Sequence, residues 1–246
     1  MTPRTAGRLL VGTSGFAYPA WAPRFYPPGT RGDGLLSYYS GRFGAVELNN
    51  TFYRRPTAAA IEGWLAATPT DFRFAAKAQR SAAAGLATGN AADMSWLTEP
   101  YRAFGDRLGV ILLGVPDPIA RDDDHLGTLL GAWPTDLRLA VELGHPSWHV
   151  DETFERLAAH DAALCVTDRP DADEPPTIRR TGPFLYLRLR RHDYPAAEIA
   201  AWAARLVPFL DDGRDVYAFF RHDELGHATE LATTLAQAAA SRLERG

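Results

Sequence analysis

Eight strand-length apolar runs alternate with longer amphipathic segments along a 246-residue chain, and no linker or low-complexity tract divides it. These features predict one α/β domain over residues 1–246, folded as a TIM-like (β/α)8 barrel of eight parallel strands. A doubly wound open sheet is the main competitor. It would carry a phosphate-binding glycine turn feeding a helix, whereas the first turn here, GTSGFAYPAW, runs into aromatics and prolines.

The elements follow in order. The first strand is read at RLLVGTS (8–14), a short apolar run that ends in the turn just quoted. A helix at GLLSYYSGRF (34–43) leads to a strand at AVELNN (45–50). The next helix, TAAAIEGWLAAT (57–68), has Thr57 as its N-cap ahead of an alanine-rich run. Strand FRFAAKA (72–78) precedes helix SWLTEPYRAFGDRL (95–108), and strand GVILLGV (109–115) precedes helix DHLGTLLGAW (124–133). Strand RLAVELG (138–144) is followed by DETFERLAAH (151–160), where Asp151 is the expected cap, and by strand ALCVTD (163–168). Residues 169–183 are proline-rich and polar, too broken for a crossover helix, so the connection between strands six and seven is expected to be a loop. Strand FLYLRLR (184–190), helix EIAAWAARLVPFL (198–210), strand DVYAFFR (215–221) and an alanine-rich helix from Gly226 onward complete the pattern.

A hydrophobic content of 46% with 23% charged residues is enough for a full core. The one cysteine, Cys165, lies in the apolar run AALCV and reads as a small buried hydrophobe, so no internal disulfide is available and a reducing, cytoplasmic setting is expected. The first fifteen residues lack the apolar centre of a secretory signal and no later run has membrane-spanning length, so no membrane partner is expected. A net charge of −4 gives no global attraction for phosphate backbones, which leaves nucleic acid a weakly supported partner. Of 26 basic residues, all but Lys77 are arginine, which marks a position that uses a compact ammonium of tunable pKa.

Strand side chains alternate between faces, and barrel strands send one set inward. In AVELN, Val46 and Leu48 suit the helix layer, which turns Ala45, Glu47 and Asn49 inward. By the same division Lys77 shares a face with Arg73 and Ala75, Glu142 with Ala140, and Arg188 with Tyr186 and Arg190. These polar residues come late in their strands, at the end from which barrel active sites are built. Glu47, Asn49, Lys77, Glu142, Asp168 and Arg188 are therefore expected to form a charged cluster at the C-terminal mouth, with mutual pairing that offsets the cost of burying them. The bland alternative is an interior layer of self-satisfied charges.

With these residues in view, the chain resembles the YecE-like family, also called domain of unknown function 72. The resemblance rests on GTSGFAYPAW with FYP (12–27), VELNNTFYRRP (46–56), FRFAAKA (72–78), VELGHPSW (141–148), YLRLR and AFFRHDELGHA (218–228). It implies a TIM-barrel-like fold and no established reaction. Position by position, the family-like polar residues are Ser14, Tyr18, Glu47, Asn49, Lys77, Glu142, His145, Trp148, Asp168, Arg188 and Asp223. The chain departs from the family pattern in four places: AQRSAAAG replaces a Thr-His after the lysine, GVP replaces Gln-Leu-Pro at Gly114, Gly144 replaces an arginine, and Arg190 and Arg191 replace His-Gly.

Three chemistries fit these residues. The first is an enzyme of hydrolase, lyase or isomerase type on a small polar or anionic substrate, such as a sugar or phosphate compound. Its catalytic groups would be Glu47, Lys77 and Glu142, and Ser14, Tyr18, Asn49, His145, Trp148, Asp168, Arg188 and Asp223 would bind substrate. Two glutamates from opposite strands suit acid and base work on a glycosidic bond, and a desolvated Lys77 suits Schiff-base chemistry, opposed by any neighbouring glutamate. The second is metal-assisted phosphodiester cleavage or nucleic-acid binding like that of apurinic endonuclease barrels, with Glu47, Glu142, His145, Asp168 and His222 as candidate ligands. Pro146 keeps His145 and His149 off one helical face, and no metal or other cofactor is assigned. The third is a non-catalytic binding module walled by Tyr18, Trp21, Phe25, Tyr26, Phe52, Tyr53 and Trp148, with Arg54, Arg55, Arg190 and Arg191 as a basic rim. The same aromatics would equally form a lid that packs loops onto the barrel.

Overall fold

The computed structural model describes residues 6–82 and 94–245. Eight parallel strands run β1 (Leu9–Thr13), β2 (Ala45–Leu48), β3 (Arg73–Lys77), β4 (Leu108–Val115), β5 (Leu139–Leu143), β6 (Ala163–Asp168), β7 (Leu185–Leu189) and β8 (Val216–Phe220). Each strand pairs with its neighbours in sequence, β8 pairs back onto β1, and a Ser14–Glu47 bridge joins the ends of β1 and β2. This is the TIM-like (β/α)8 barrel that the alternating pattern predicts, and every expected strand forms within two residues of its anticipated ends.

Closure at the β1–β2 seam depends on a missing side chain. A Cβ on Gly12 would lie 2.1 Å from the Ala45 carbonyl oxygen and 2.6 Å from the Tyr39 hydroxyl, so only glycine lets β1 approach β2 there. Tyr39 Oη in turn accepts a 2.8 Å bond from the Thr13 amide, using a polar handle to tie the buried ring to the seam.

The helices α1 (Asp33–Ser40), α2 (Ala58–Ala66), α3 (Met94–Thr98), α4 (Asp123–Ala132), α5 (Asp151–Ala159), α6 (Ala196–Asp211) and α7 (His227–Leu243) surround the strands. Thr57 caps α2 by accepting from the Ala60 amide at 3.2 Å, as its position before the alanine run predicts. The cap expected at Asp151 is displaced by one residue. Val150 holds the extended cap conformation, and Asp151 is the first helical residue, where its charge still complements the helix N-terminus. The expected helix over 95–108 divides into α3 and a 3-10 run, Glu99–Arg107, because Pro100 lacks an amide and Gly105 adopts φ 54°. Residues 169–183 carry no helix, as expected; Thr181 anchors that loop by accepting from the Leu164 amide and donating to the Ala162 carbonyl.

The core has two layers. Inside the barrel lie Leu10, Ala45, Ala75, Val110, Leu112, Ala140, Cys165, Tyr186, Tyr217 and Phe219. Between barrel and helices lie the alternate positions, including Val46, Leu48, Phe74, Ala76, Val141, Leu143, Leu185 and Leu187. The inward and outward sets read from the sequence are therefore the observed ones for strands two, three, five and seven. Cys165 is a buried free thiol within the inner layer. Strand six corrects the expectation: Leu164 and Val166 face the helices, so Asp168 shares their parity and Thr167 is the residue that turns inward. Among the described residues, no helix is long and apolar enough to cross a membrane.

Candidate functional site

The floor of the site is a buried ion cluster built from the ends of five strands, β1, β2, β5, β6 and β7. Arg188, from β7, donates through one terminal nitrogen to Glu47 Oε1 at 2.9 Å and through the other to Glu142 Oε2 at 2.6 Å. Glu47 is 0% exposed and also accepts from Ser14 Oγ at 2.7 Å and Tyr186 Oη at 2.8 Å. Glu142 accepts from Thr167 Oγ1 at 2.7 Å, so both carboxylates are multiply hydrogen-bonded.

Burial alone would raise both carboxyl pKa values, and the partners reverse it. Arg188, Ser14, Arg190 and Tyr186 hold Glu47 below the usual carboxylate range. Arg188, Thr167 and Lys77 do the same for Glu142, against a smaller push from Glu47. Both are ionised at neutral pH, and one guanidinium fills the space between them. Neither is held in the protonated state that a general acid needs, so paired acid and base work across a sugar ring has no support in this geometry.

Above this floor opens a cavity of about 870 Å3, lined by Phe52, Lys77, Gly114, Glu142, Thr167, Arg188 and loop residues from β3, β4, β6, β7 and β8. Its position at the C-terminal ends of the strands is where barrel loops assemble sites. Lys77 reaches it from β3. Burial lowers the Lys77 pKa first, Arg188 lowers it further, and Glu142 and Glu47 offset this only in part. Its Nζ lies 4.6 Å from the centre of the Phe52 ring, a cation–π approach. Among the described residues no carboxylate comes within ion-pair distance of it.

Gly114 keeps open the space beside this amine. A Cβ there would stand 3.3 Å from Lys77 Cε and 3.7 Å from both Lys77 Nζ and Glu142 Oε2. Lys77 and Glu142 thus flank one small niche. Arg80, Arg169, Arg190 and Arg221 complete the cationic wall. Arg169 is committed to Asp117 at 3.0 Å, while Arg80, Arg190 and Arg221 have no carboxylate partner among the described residues. Arg190 makes one long contact, 3.4 Å, to Ser14 Oγ. Burial and the neighbouring Arg188 lower its pKa, as expected where positive charges crowd.

The structure thus gathers Ser14, Glu47, Lys77, Glu142 and Arg188 into one assembly. Asn49 is half-buried at the start of a 3-10 turn, with no side-chain cap bond. Tyr18 stacks on His222 at 4.8 Å and donates to the Ser14 carbonyl, so it packs the first loop onto the eighth. Four other expected binding residues are engaged in local structure. His145 caps the Pro146–Trp148 turn by accepting from the Ser147 amide. Trp148 is fully buried and donates to the Ile119 carbonyl at 2.8 Å. Asp168 faces away from the barrel axis and binds Arg191 at 3.1 Å. Asp223 accepts from the amides of Leu225, His227 and Ala228 and so caps α7.

Of the residues considered as metal ligands, Glu47 and Glu142 meet at Arg188 while His145, Asp168 and His222 are engaged elsewhere, and among the described residues no group of three or more histidine, cysteine, aspartate or glutamate side chains could hold a metal ion. Thr167 was missed by the sequence reading, although the alternation of Cys165 and Thr167 against Val166 carried the signal. Arg80 and Arg169 come from loops, where no periodicity announces direction, whereas Arg221 ends the strand read at 215–221 with the inward parity of Tyr217 and Phe219. The departure from the family pattern at AQRSAAAG extends into residues 83–85, which lie outside the described residues.

The model of the family "Protein of unknown function DUF72" matches residues 10–245. A DUF72 family protein from Enterococcus faecalis V583 shares the fold with a TM-score of 0.79 at 18% identity, covering 95% of this chain and 96% of its own. A DUF72 family protein from Thermotoga maritima MSB8 superposes with a TM-score of 0.73 at 25% identity, covering 93% and 98%. No curated protein matches the chain. With the family model spanning nearly all of the barrel, the chain belongs to the DUF72, or YecE-like, family.

Proposed function

We propose that this barrel is an enzyme whose substrate is a small anionic compound, bearing phosphate or carboxylate, bound at the C-terminal mouth. One observation carries the reading: Lys77, Arg80, Arg190 and Arg221 line a single cavity and, among the described residues, none forms an ion pair with a carboxylate, although Glu142, Asp117 and Asp171 lie in the same wall and leave it with an excess of positive charge. Crowded cations raise one another's free energy, and an anion that bridges them relieves that cost. Arginine presents a planar fork suited to phosphate and carboxylate oxygens, so these side chains supply orientation as well as charge. Glu142 and Lys77 are the groups placed to move protons, since both flank the niche at Gly114. Glu47 supports them from beneath by fixing Arg188, without contact with the cavity.

The volume of about 870 Å3 suits a small metabolite and is within the usual range for ligand pockets. A thermal-shift screen of phosphorylated and carboxylated metabolites beside their uncharged analogues tests the reading. Anionic members should raise the melting temperature, the uncharged analogues should not, and Arg190→Gln should reduce the response. A short single-stranded oligonucleotide serves as a further arm. Stabilisation by the oligonucleotide alone, with none from any small anion, would refute the proposal.

A further inference from the structure

Lys77 is the sole lysine in a chain that uses arginine at 25 other positions, five of them in the wall of the same cavity. For binding an anion, arginine is at least as good a choice. What an amine can do, and a guanidinium cannot, is surrender its proton and act as a nucleophile. The surroundings of Lys77 shift the balance toward that state. Its amine is withdrawn from water and faces the cationic Arg188 and Arg190, with Glu142 and Glu47 as the opposing charges, and the balance lowers its pKa. A bound anionic group would push the other way, so the position of that group matters: Arg190 and Arg221 reach the cavity from the ends of β7 and β8, on other strands than the lysine.

We propose that Lys77 forms an imine with the carbonyl carbon of an anionic aldehyde or ketone, which docks in the niche between Lys77 Nζ and Glu142 opened by Gly114. The inference rests on the anion-binding reading above and specifies its substrate class. In the step, the neutral amine adds through its lone pair to the carbonyl carbon while the C=O π pair moves onto oxygen. The nitrogen then loses both protons in turn through the Glu142 carboxylate to that oxygen, the C–O bond breaks, and water leaves as C=N forms. Amine and carbonyl give imine and water, with no oxidant or reductant. Glu142 suits the relay because it is ionised and its Oε2 lies 3.7 Å from the point in the niche that is equally distant from Nζ.

A single lysine makes the test clean, since the α-amino group is the one other primary amine. The protein is incubated with glyoxylate or with pyridoxal 5′-phosphate, both anionic aldehydes, and the imine is fixed with sodium borohydride and located by peptide mass mapping. The expected result is one reduced adduct on Lys77, absent from Lys77→Arg and suppressed by excess inorganic pyrophosphate. The lowered pKa enlarges the neutral fraction of Lys77 at any given pH, so its labelling should begin at a lower pH than that of free Nα-acetyl-lysine under the same conditions. Labelling confined to the α-amino group, or equal in Lys77→Arg, would overturn the proposal. If pyrophosphate stabilises the protein but neither aldehyde labels Lys77, imine formation is wrong and the anion site stands. If pyrophosphate has no effect either, both readings fail. Circular dichroism of Lys77→Arg establishes that the variant is folded.

Discussion

Replacing Arg188 by methionine tests the floor of the site most severely. Arg188 is 4% exposed and is the shared partner of Glu47 and Glu142, which lie 2.9 and 2.6 Å from its terminal nitrogens. Its removal leaves two carboxylates without their cation, and breaking a buried pair from one side costs about 3–5 kcal/mol. At roughly 2–4 °C per kcal/mol for a domain of this size, the melting temperature should fall by about 6–20 °C. The sign of the pH dependence follows from the linkage. In the parent protein both carboxyl pKa values are lowered, so their stabilisation is present above the unfolded-state carboxylate pKa and is lost as the pH falls through the folded values. In Arg188→Met burial dominates and raises both, so protonation relieves the strain as the pH falls. Urea unfolding at pH 7.5 and pH 5 should therefore show the gap between the two proteins narrowing in acid. A gap below about 1 kcal/mol, the scale of an exposed pair, or one that does not change with pH, would refute a buried cluster.

Other perturbations separate structural from functional roles. Asp223→Ala should lower stability by about 0.5–2 kcal/mol through loss of the cap on α7 while leaving stabilisation by pyrophosphate unchanged; a lost ligand response would return Asp223 to the binding site. Lys77→Met should raise stability at neutral pH, because the folded-state pKa of this lysine is lowered and burying its charge is a net cost. That gain should shrink as the pH rises toward the unfolded-state lysine value, where both states are neutral, and a gain that grows with pH in urea titrations would contradict it. Gly114→Leu should fill the niche between Lys77 and Glu142 and abolish aldehyde labelling with little change in far-UV dichroism; unchanged labelling would show that the niche is not where the carbonyl docks.

Alternation made most of this architecture legible in advance. Glu47, Lys77, Glu142 and Arg188 each share a face with alanine or tyrosine in an otherwise apolar strand, and the barrel sends that face inward. Parity has two limits here: Asn49 lies past the end of β2, in a 3-10 turn where alternation no longer holds, and Asp168 belongs to the outward set, while Thr167, one residue earlier, makes the contact to Glu142. Roles assigned to loop residues were less legible, since His145, Trp148 and Asp223 are polar groups near strand ends that serve turns and helix caps. A cap and a ligand contact draw on the same residue types, so type and spacing do not distinguish them. Among the unpaired arginines, Arg190 was legible because it shares the inward face of Arg188. Arg221 ends the strand read at 215–221 and shares the inward parity of Tyr217 and Phe219, whereas Arg80 lies past its strand, where register says nothing about the reach of a long flexible side chain.

Whether the cavity holds an anion is decided by calorimetric titration of inorganic pyrophosphate into the parent protein and into the Arg190→Gln/Arg221→Gln double variant. Binding to the parent should be saturable, weaken with added salt and fall by at least about tenfold in the variant, the loss of one charge-assisted hydrogen bond worth about 1.5–3 kcal/mol. Absence of binding to the parent at low salt, or equal binding to both proteins, would contradict a cationic cavity built to hold an anion.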